Sequence, residues 1–242
     1  MCRLEGAARS KTACLCCVSA WGTEVAGREI YMPVRKVITR RSNHFRAYIP
    51  SLKNGHPTQC ESMLEGKFIR LCELSPMVRS YEVQPSFESI SVGGSPERYV
   101  PDVRIRFVDG TEGWFEVKPD VRLKSKRVAR RLGAAADHFA QSGRRFRVVT
   151  DKQLDTEPRA SNVLELMYQR RVPLTSVELE RFRYKLESEC PQTMSALTSL
   201  IGPCDAWRLL GLGIVGVDLD QPIAPDAAIY LEGGHRHADL FA

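Results

Sequence analysis

The sequence predicts an α/β protein: a mixed sheet flanked by helices, followed by a smaller helix-rich module that ends in a two-stranded wing. Three observations carry this reading. Residues 59–150 run in the order helix, three strands, helix, strand. Two glycine-bearing turns, Gly93-Gly94-Ser95-Pro96 and Asp109-Gly110, punctuate the strands. After Pro173 the pattern changes to short helices and then two short strands. A chain of 242 residues has room for one good-sized domain and a small second one.

Residues 1–31 are small, cysteine-rich and without clear periodicity, and read as a disordered N-terminal extension. Met32 begins Met-Pro-Val-Arg-Lys-Val, a sensible start for a folded protein. Over 59–74, Leu64, Phe68, Leu71 and Cys72 recur as one apolar helical stripe, which Ser75-Pro76 ends. Residues 81–92 read as a strand and 99–108 as its hairpin partner, with 114–118 a third strand stopped by Pro119. A helix over 122–142 buries Val128, Leu132, Ala135 or Ala136, and Phe139. Gly143 ends it before a fourth strand at 146–150. A loop follows from 150, and 158–172 is a linker carrying a bridging helix. In 173–242, helices over 176–187, 193–200 and 204–210 precede strands over 213–219 and 227–231, a winged-helix-like order. The folded core domain is expected to span 32–157.

Composition excludes several classes. With 43% hydrophobic and 26% charged residues the chain is an ordinary globular protein. No apolar run is long enough for a membrane span, and the N-terminus lacks a secretion pattern, so a cytoplasmic protein is expected. Cys14, Cys16 and Cys17 cluster without a second CxxC or a nearby histidine, which argues against zinc. Reduced thiols are expected for all eight cysteines. The net charge of +6 is local. Between Arg122 and Arg147 lie nine of the 35 Lys/Arg and a single acid, Asp137, leaving 26 bases against 28 acids elsewhere. Such a patch suits a polyanion, although a solvated helix face would look the same. By contrast, 173–242 carries five bases and ten acids, a poor duplex binder and a better protein-docking module.

Four residues in the first part could converge at one end of the sheet: Glu65, Asp102, Glu116 and Lys118. Strand alternation puts Glu116 and Lys118 on one face. Pro101 places Asp102 at a strand start, where proline is tolerated. Glu65 flanks the apolar stripe of its helix, and an acid so placed is costly unless paired or metal-bound. Each of these has a bland alternative. Glu65 can reach solvent or pair with an arginine, and Glu and Lys two apart on a strand are commonplace. Together, three carboxylates and a lysine can hold a hard cation such as Mg2+, with Mn2+ a substitute, against a phosphodiester.

The ordered set Glu61-Ser62-Met63-Leu64-Glu65, Glu82-Val83-Gln84-Pro85, Tyr99-Val100-Pro101-Asp102, Glu116-Val117-Lys118-Pro119 and Val149-Thr150-Asp151-Lys152 resembles TnsA. TnsA is the endonuclease subunit of Tn7-like transposons and has a restriction-endonuclease fold of the PD-(D/E)xK type. The resemblance spans about residues 34–171. It implies a metal site at Glu65, Asp102 and Glu116 with Lys118 catalytic, Glu65 being preferred to Glu61 by the Leu-Glu pattern. Lys124, Arg127, Arg130 and Arg131 of the basic helix are expected to position the backbone of double-stranded DNA without reading its sequence. The implied activity is cleavage at the 5′ ends of a transposon, alongside a partner transposase and an ATPase regulator. Two other readings stay open: a stand-alone nuclease of the same fold in repair or phage defence, and a non-catalytic DNA-binding assembly subunit.

Overall fold

Glu112–Lys118 is the strand around which the molecule is layered. Its residues from Gly113 to Val117 are all buried, as in a central strand covered on both faces. Phe115 and Val117 enter one apolar cluster and Trp114 enters another, so the alternation expected from the sequence separates two cores.

The computed structural model describes residues 47–241. The expectations for residues 1–31, the Met32 start and the Cys14–Cys17 cluster lie outside them. The described chain opens with β1 (Ala47–Ile49) and β2 (Thr58–Cys60), then α1 (Met63–Leu74). Next come β3 (Val78–Val83), β4 (Glu88–Val92), β5 (Ser95–Tyr99), β6 (Val103–Phe107) and β7 (Glu112–Lys118). These are followed by α2 (Asp120–Leu123), α3 (Lys126–Gln141), β8 (Arg145–Thr150), α4 (Asp151–Leu154) and α5 (Arg159–Gln169). The last part holds α6 (Ser176–Glu189), α7 (Met194–Ile201), α8 (Pro203–Gly211), β9 (Gly216–Val217) and β10 (Ile229–Tyr230).

The main sheet has the order β3-β6-β7-β8, antiparallel except for the parallel β7–β8 pair. It is the mixed α/β sheet the sequence predicts, with a different strand economy. Residues 81–92 do not make one strand. β3 ends at Val83, Gln84 takes a left-handed φ of 51° before Pro85, and β4 starts at Glu88. The expected 99–108 strand likewise divides at Pro101. β4 and β5 form their own hairpin, whereas β3 and β6 pair in the main sheet. Proline has no N–H to offer a ladder, which is why both divisions fall beside one.

The other departures are local. The helix expected from residue 59 begins at Met63, because Ser62 caps it and 58–60 pair with β1. The helix expected over 122–142 is two, with Lys124 and Ser125 between α2 and α3. Its buried stripe is Leu132, Ala135 and Phe139; the expected Val128 is only half-buried, since it stands in the first turn, and Ala136 is exposed. The loop expected after Thr150 opens with α4.

The larger core cluster packs α1 on the Phe115 face of the sheet and runs on through α5 into α6, α7 and α8. Apolar packing therefore continues past Pro173. Gly211 lets α8 cross α5 closely, since a Cβ there would lie 2.7 Å from the Arg170 nitrogen and 2.8 Å from the Leu166 oxygen. Phe241 places its ring 6.0 Å from Phe68, 6.0 Å from Phe115 and 5.8 Å from Phe107. The second cluster joins the β4–β5 hairpin to α3 through Ile90, Tyr99, Trp114 and Phe139.

Candidate active site

The β6–β7 register decides the site. Val103 lies opposite Phe115, so one step back along β6 sets Asp102 beside Glu116, with Lys118 two residues further along β7. Glu65 stands in the first turn of α1. That helix covers the Phe115 face, the one opposite Glu116, yet its N-terminus reaches the same end of the sheet. The charge of Glu65 is felt by both Asp102 and Lys118. The structure thus gathers all four sequence-predicted residues in one electrostatic neighbourhood.

Their direct bonds are specific. Lys118 Nζ lies 2.7 Å from Glu116 Oε1. The Tyr99 hydroxyl donates to Glu116 Oε2 at 2.5 Å. The Val117 N–H donates to Asp102 Oδ2 at 2.7 Å. Glu65 turns to its own helix end instead, where Oε2 accepts from the Glu61 N–H at 2.8 Å and Oε1 from the Ser62 hydroxyl at 3.0 Å. Ser62 Oγ in turn accepts the Glu65 N–H at 3.1 Å. This is a reciprocal helix cap, and Ser-x-x-Glu ahead of an apolar run is its sequence signal. Tyr99 stands three residues before Asp102 in the Tyr-Val-Pro-Asp string, but no periodicity tells where a hydroxyl will point.

The charges are poorly balanced. Burial pushes the Asp102 carboxyl well above the usual carboxylate range, and the neighbouring charges of Glu116 and Glu65 push it further. Burial raises Glu65 as well, against the pull of its cap bonds. Burial would lower the Lys118 ammonium, but Glu116, Asp102 and Glu65 outweigh it and hold Lys118 above its ordinary value. Three acids against one lysine make this sheet end rich in oxygen donors, and in donor chemistry this fits a hard divalent cation. The fit is in kind. Among the described residues no three His, Cys, Asp or Glu side chains are close enough together to hold a metal ion, and Glu65 is engaged in its cap.

Beside this end lies the basic helix. Lys124, Arg127, Arg130 and Arg131 are all exposed, but they are not equivalent. Arg131 Nη2 donates to the Arg98 carbonyl at 3.0 Å, its Nε lies 3.7 Å from Glu97 Oε2, and its guanidinium sits 5.2 Å from the centre of the Tyr99 ring. The Arg130 guanidinium lies against Gly93, where a Cβ would stand 2.1 Å from Nη2. Gly93 has a φ of +62°, and this left-handed backbone is what calls for glycine at the hairpin tip. Arg130 and Arg131 therefore brace β4–β5, while Lys124 and Arg127 extend from the start of the helix region.

No curated protein matches the chain. A family model described as TnsA-like endonuclease N terminal matches residues 75–151. The matched stretch holds Asp102, Glu116, Lys118 and the whole of α3, and begins after Glu65. A TnsA-like endonuclease N-terminal domain is therefore present over residues 75–151.

Proposed function

We propose that this protein is a metal-dependent DNA endonuclease of TnsA type, hydrolysing phosphodiester bonds at the 5′ ends of a transposon during Tn7-like transposition. The observation that carries the reading is the gathering of Asp102, Glu116 and Lys118 at one sheet end within the matched domain. On this reading Asp102, Glu116 and Glu65 hold Mg2+ or Mn2+, with Glu65 leaving its helix cap to do so. When bound, the ion acidifies water and neutralises charge on the phosphoryl oxygens. Lys118, kept protonated by its three acidic neighbours, orients the phosphate and offsets charge that grows in the transition state. The products are a 3′-hydroxyl and a 5′-phosphate.

Lys124 and Arg127 place the duplex backbone without reading sequence, with Arg130 and Arg131 contributing from the brace they form. Residues 173–242 act as a winged-helix-like, net-negative module suited to docking protein partners, namely a transposase and an ATPase regulator. One observation favours a second reading, that of a non-catalytic DNA-binding assembly subunit: the engagement of Glu65 in its cap.

A Mg2+-dependent nicking assay on transposon-end DNA, with partner proteins present, separates the two. Wild type cuts, while Asp102→Ala and Lys118→Ala do not. Equal cleavage by all three would end the catalytic assignment.

A further inference from the structure

Tyr99 and Arg131 belong to different elements, and neither offers an oxygen ligand of the kind Asp102 and Glu116 would give a cation at this sheet end. Tyr99 is only 1% exposed, so it cannot meet DNA. Its ring packs in the α3-side cluster and stands edge-on to Phe146, with centroids 6.1 Å apart. That packing fixes the ring and aims the hydroxyl at one atom, Glu116 Oε2, 2.5 Å away. The other Glu116 oxygen is taken by Lys118 at 2.7 Å. Both oxygens of this carboxylate are therefore oriented, one from beneath by a phenol and one from the strand by an ammonium. Above the ring, Arg131 is itself fixed by the Arg98 carbonyl and Glu97. A guanidinium 5.2 Å from the ring centre holds the ring by cation–π attraction.

We propose that Tyr99 is a positioning residue for the cation site, fixing the Glu116 carboxylate for its ligand role, and that Arg131 acts through Tyr99 rather than as a plain phosphate contact. This rests on the metal-site reading above. A hydrogen-bonded partner behind a ligating carboxylate limits its rotation and is worth about 10- to 100-fold in metal affinity. The phenol suits this task because it donates a bond without adding charge to a site already crowded with acids. The exposed side of Arg131 would let an arriving phosphate disturb the same chain, which ties the basic helix to the geometry of Glu116.

The test is a calorimetric Mn2+ titration of the full chain in metal-free buffer, with duplex affinity and thermal midpoint measured on the same samples. Tyr99→Phe keeps the ring and is expected to bind Mn2+ about tenfold more weakly. Its metal-free thermal midpoint should fall somewhat, because a buried Glu116 oxygen loses its donor, while its duplex affinity matches wild type; a merely structural role would leave the Mn2+ affinity of the folded protein unchanged. Arg131→Gln is expected to lose about threefold in Mn2+ affinity, and Arg131→Lys to recover most of it. Asp102→Ala is the control for the site itself. If Asp102→Ala weakens Mn2+ binding but Tyr99→Phe does not, the positioning role is overturned and the metal site stands. If wild type and Asp102→Ala bind alike, or neither binds, the metal site falls and the proposal falls with it. Should Tyr99→Phe fail to fold, the surface variant Arg131→Gln decides: unchanged Mn2+ affinity overturns the proposal, and a selective loss sustains it.

Discussion

Two acidic centres at separate places in the fold show what a buried carboxylate needs and what happens when that is withheld. Glu73, near the end of α1, has no exposed side-chain surface and is fully served. Ser51 Oγ, the Leu52 N–H at 3.1 Å, the Tyr81 hydroxyl at 2.7 Å and Arg170 at 2.9 Å all reach it. Lys53 sits nearby with its amine on the carbonyls of Ser75 and Val78, and burial lowers its pKa to about 8. Asp102 receives one backbone N–H and faces two further acids. The first arrangement is closed and knits β1–β2, α1, β3 and α5 together. The second keeps acceptor capacity for something positive from outside. A bonded and charge-balanced carboxylate serves the fold, whereas an excess of acids at one sheet end is what the proposed cation site would use.

That contrast can be broken experimentally, beginning with the largest effect. Asp102→Asn should lower Mg2+-dependent nicking by about 1000-fold, on the scale of losing a key electrostatic group, while leaving the thermal midpoint equal to or above wild type. A collapse of stability instead would make Asp102 architectural. Glu73→Gln should do the reverse, costing about 3–5 kcal/mol in denaturant unfolding because Arg170 is left buried without its counter-charge. Nicking by the folded fraction should persist.

The pH response sharpens the same contrast. Asp102 has its folded pKa raised above the ordinary 3.8, so above that value the folded state holds the proton longer than the unfolded chain. Its contribution to stability therefore falls as pH rises through the window from 3.8 upward. Glu88 is the opposite case, brought to about 2 by Arg144, which outweighs its burial, and by His138. Its contribution is present above 4.5 and lost as pH falls towards 2. Unfolding free energy against pH in chelator should lose the first slope in Asp102→Asn and the second in Glu88→Gln. If neither slope moves, the charge imbalance is not as described.

Smaller effects test the periphery. Arg127→Ala should weaken duplex binding alike for all sequences and reduce the salt slope by about one. An unchanged slope would place the duplex elsewhere. Ser62→Ala removes the α1 cap and should cost about 1 kcal/mol. If its Mn2+ affinity rises at the same time, the cap and the ion compete for Glu65.

Much of this was legible in the residues because it rests on short-range rules. The 3.6-residue stripe of α1 and α3, the turn at Gly93-Gly94 and the alternation along β7 are each set within a few neighbours. They hold in the fold. The two misread strands share one cause. At Gln84-Pro85 and at Pro101, apolar alternation runs on as if one strand continued, and only pairing partners show that each run serves two sheets. The capping role of Glu65 was written in Ser62-x-x-Glu65, but the same carboxylate also suits a ligand, and local sequence does not choose between them.

The sequence by itself determined the layer order, the faces of the strands and the local concentration of positive charge, because those follow from chain-neighbour sterics, hydrophobic periodicity and composition. Only the tertiary structure decided that Asp102 lies beside Glu116, that Tyr99 reaches one Glu116 oxygen while Arg131 covers its ring, and that Phe241 returns to the core beside Phe68 and Phe115. The reason is physical: strand register and the meeting of distant elements are fixed by cooperative packing across the whole fold, and no local run of residues encodes it.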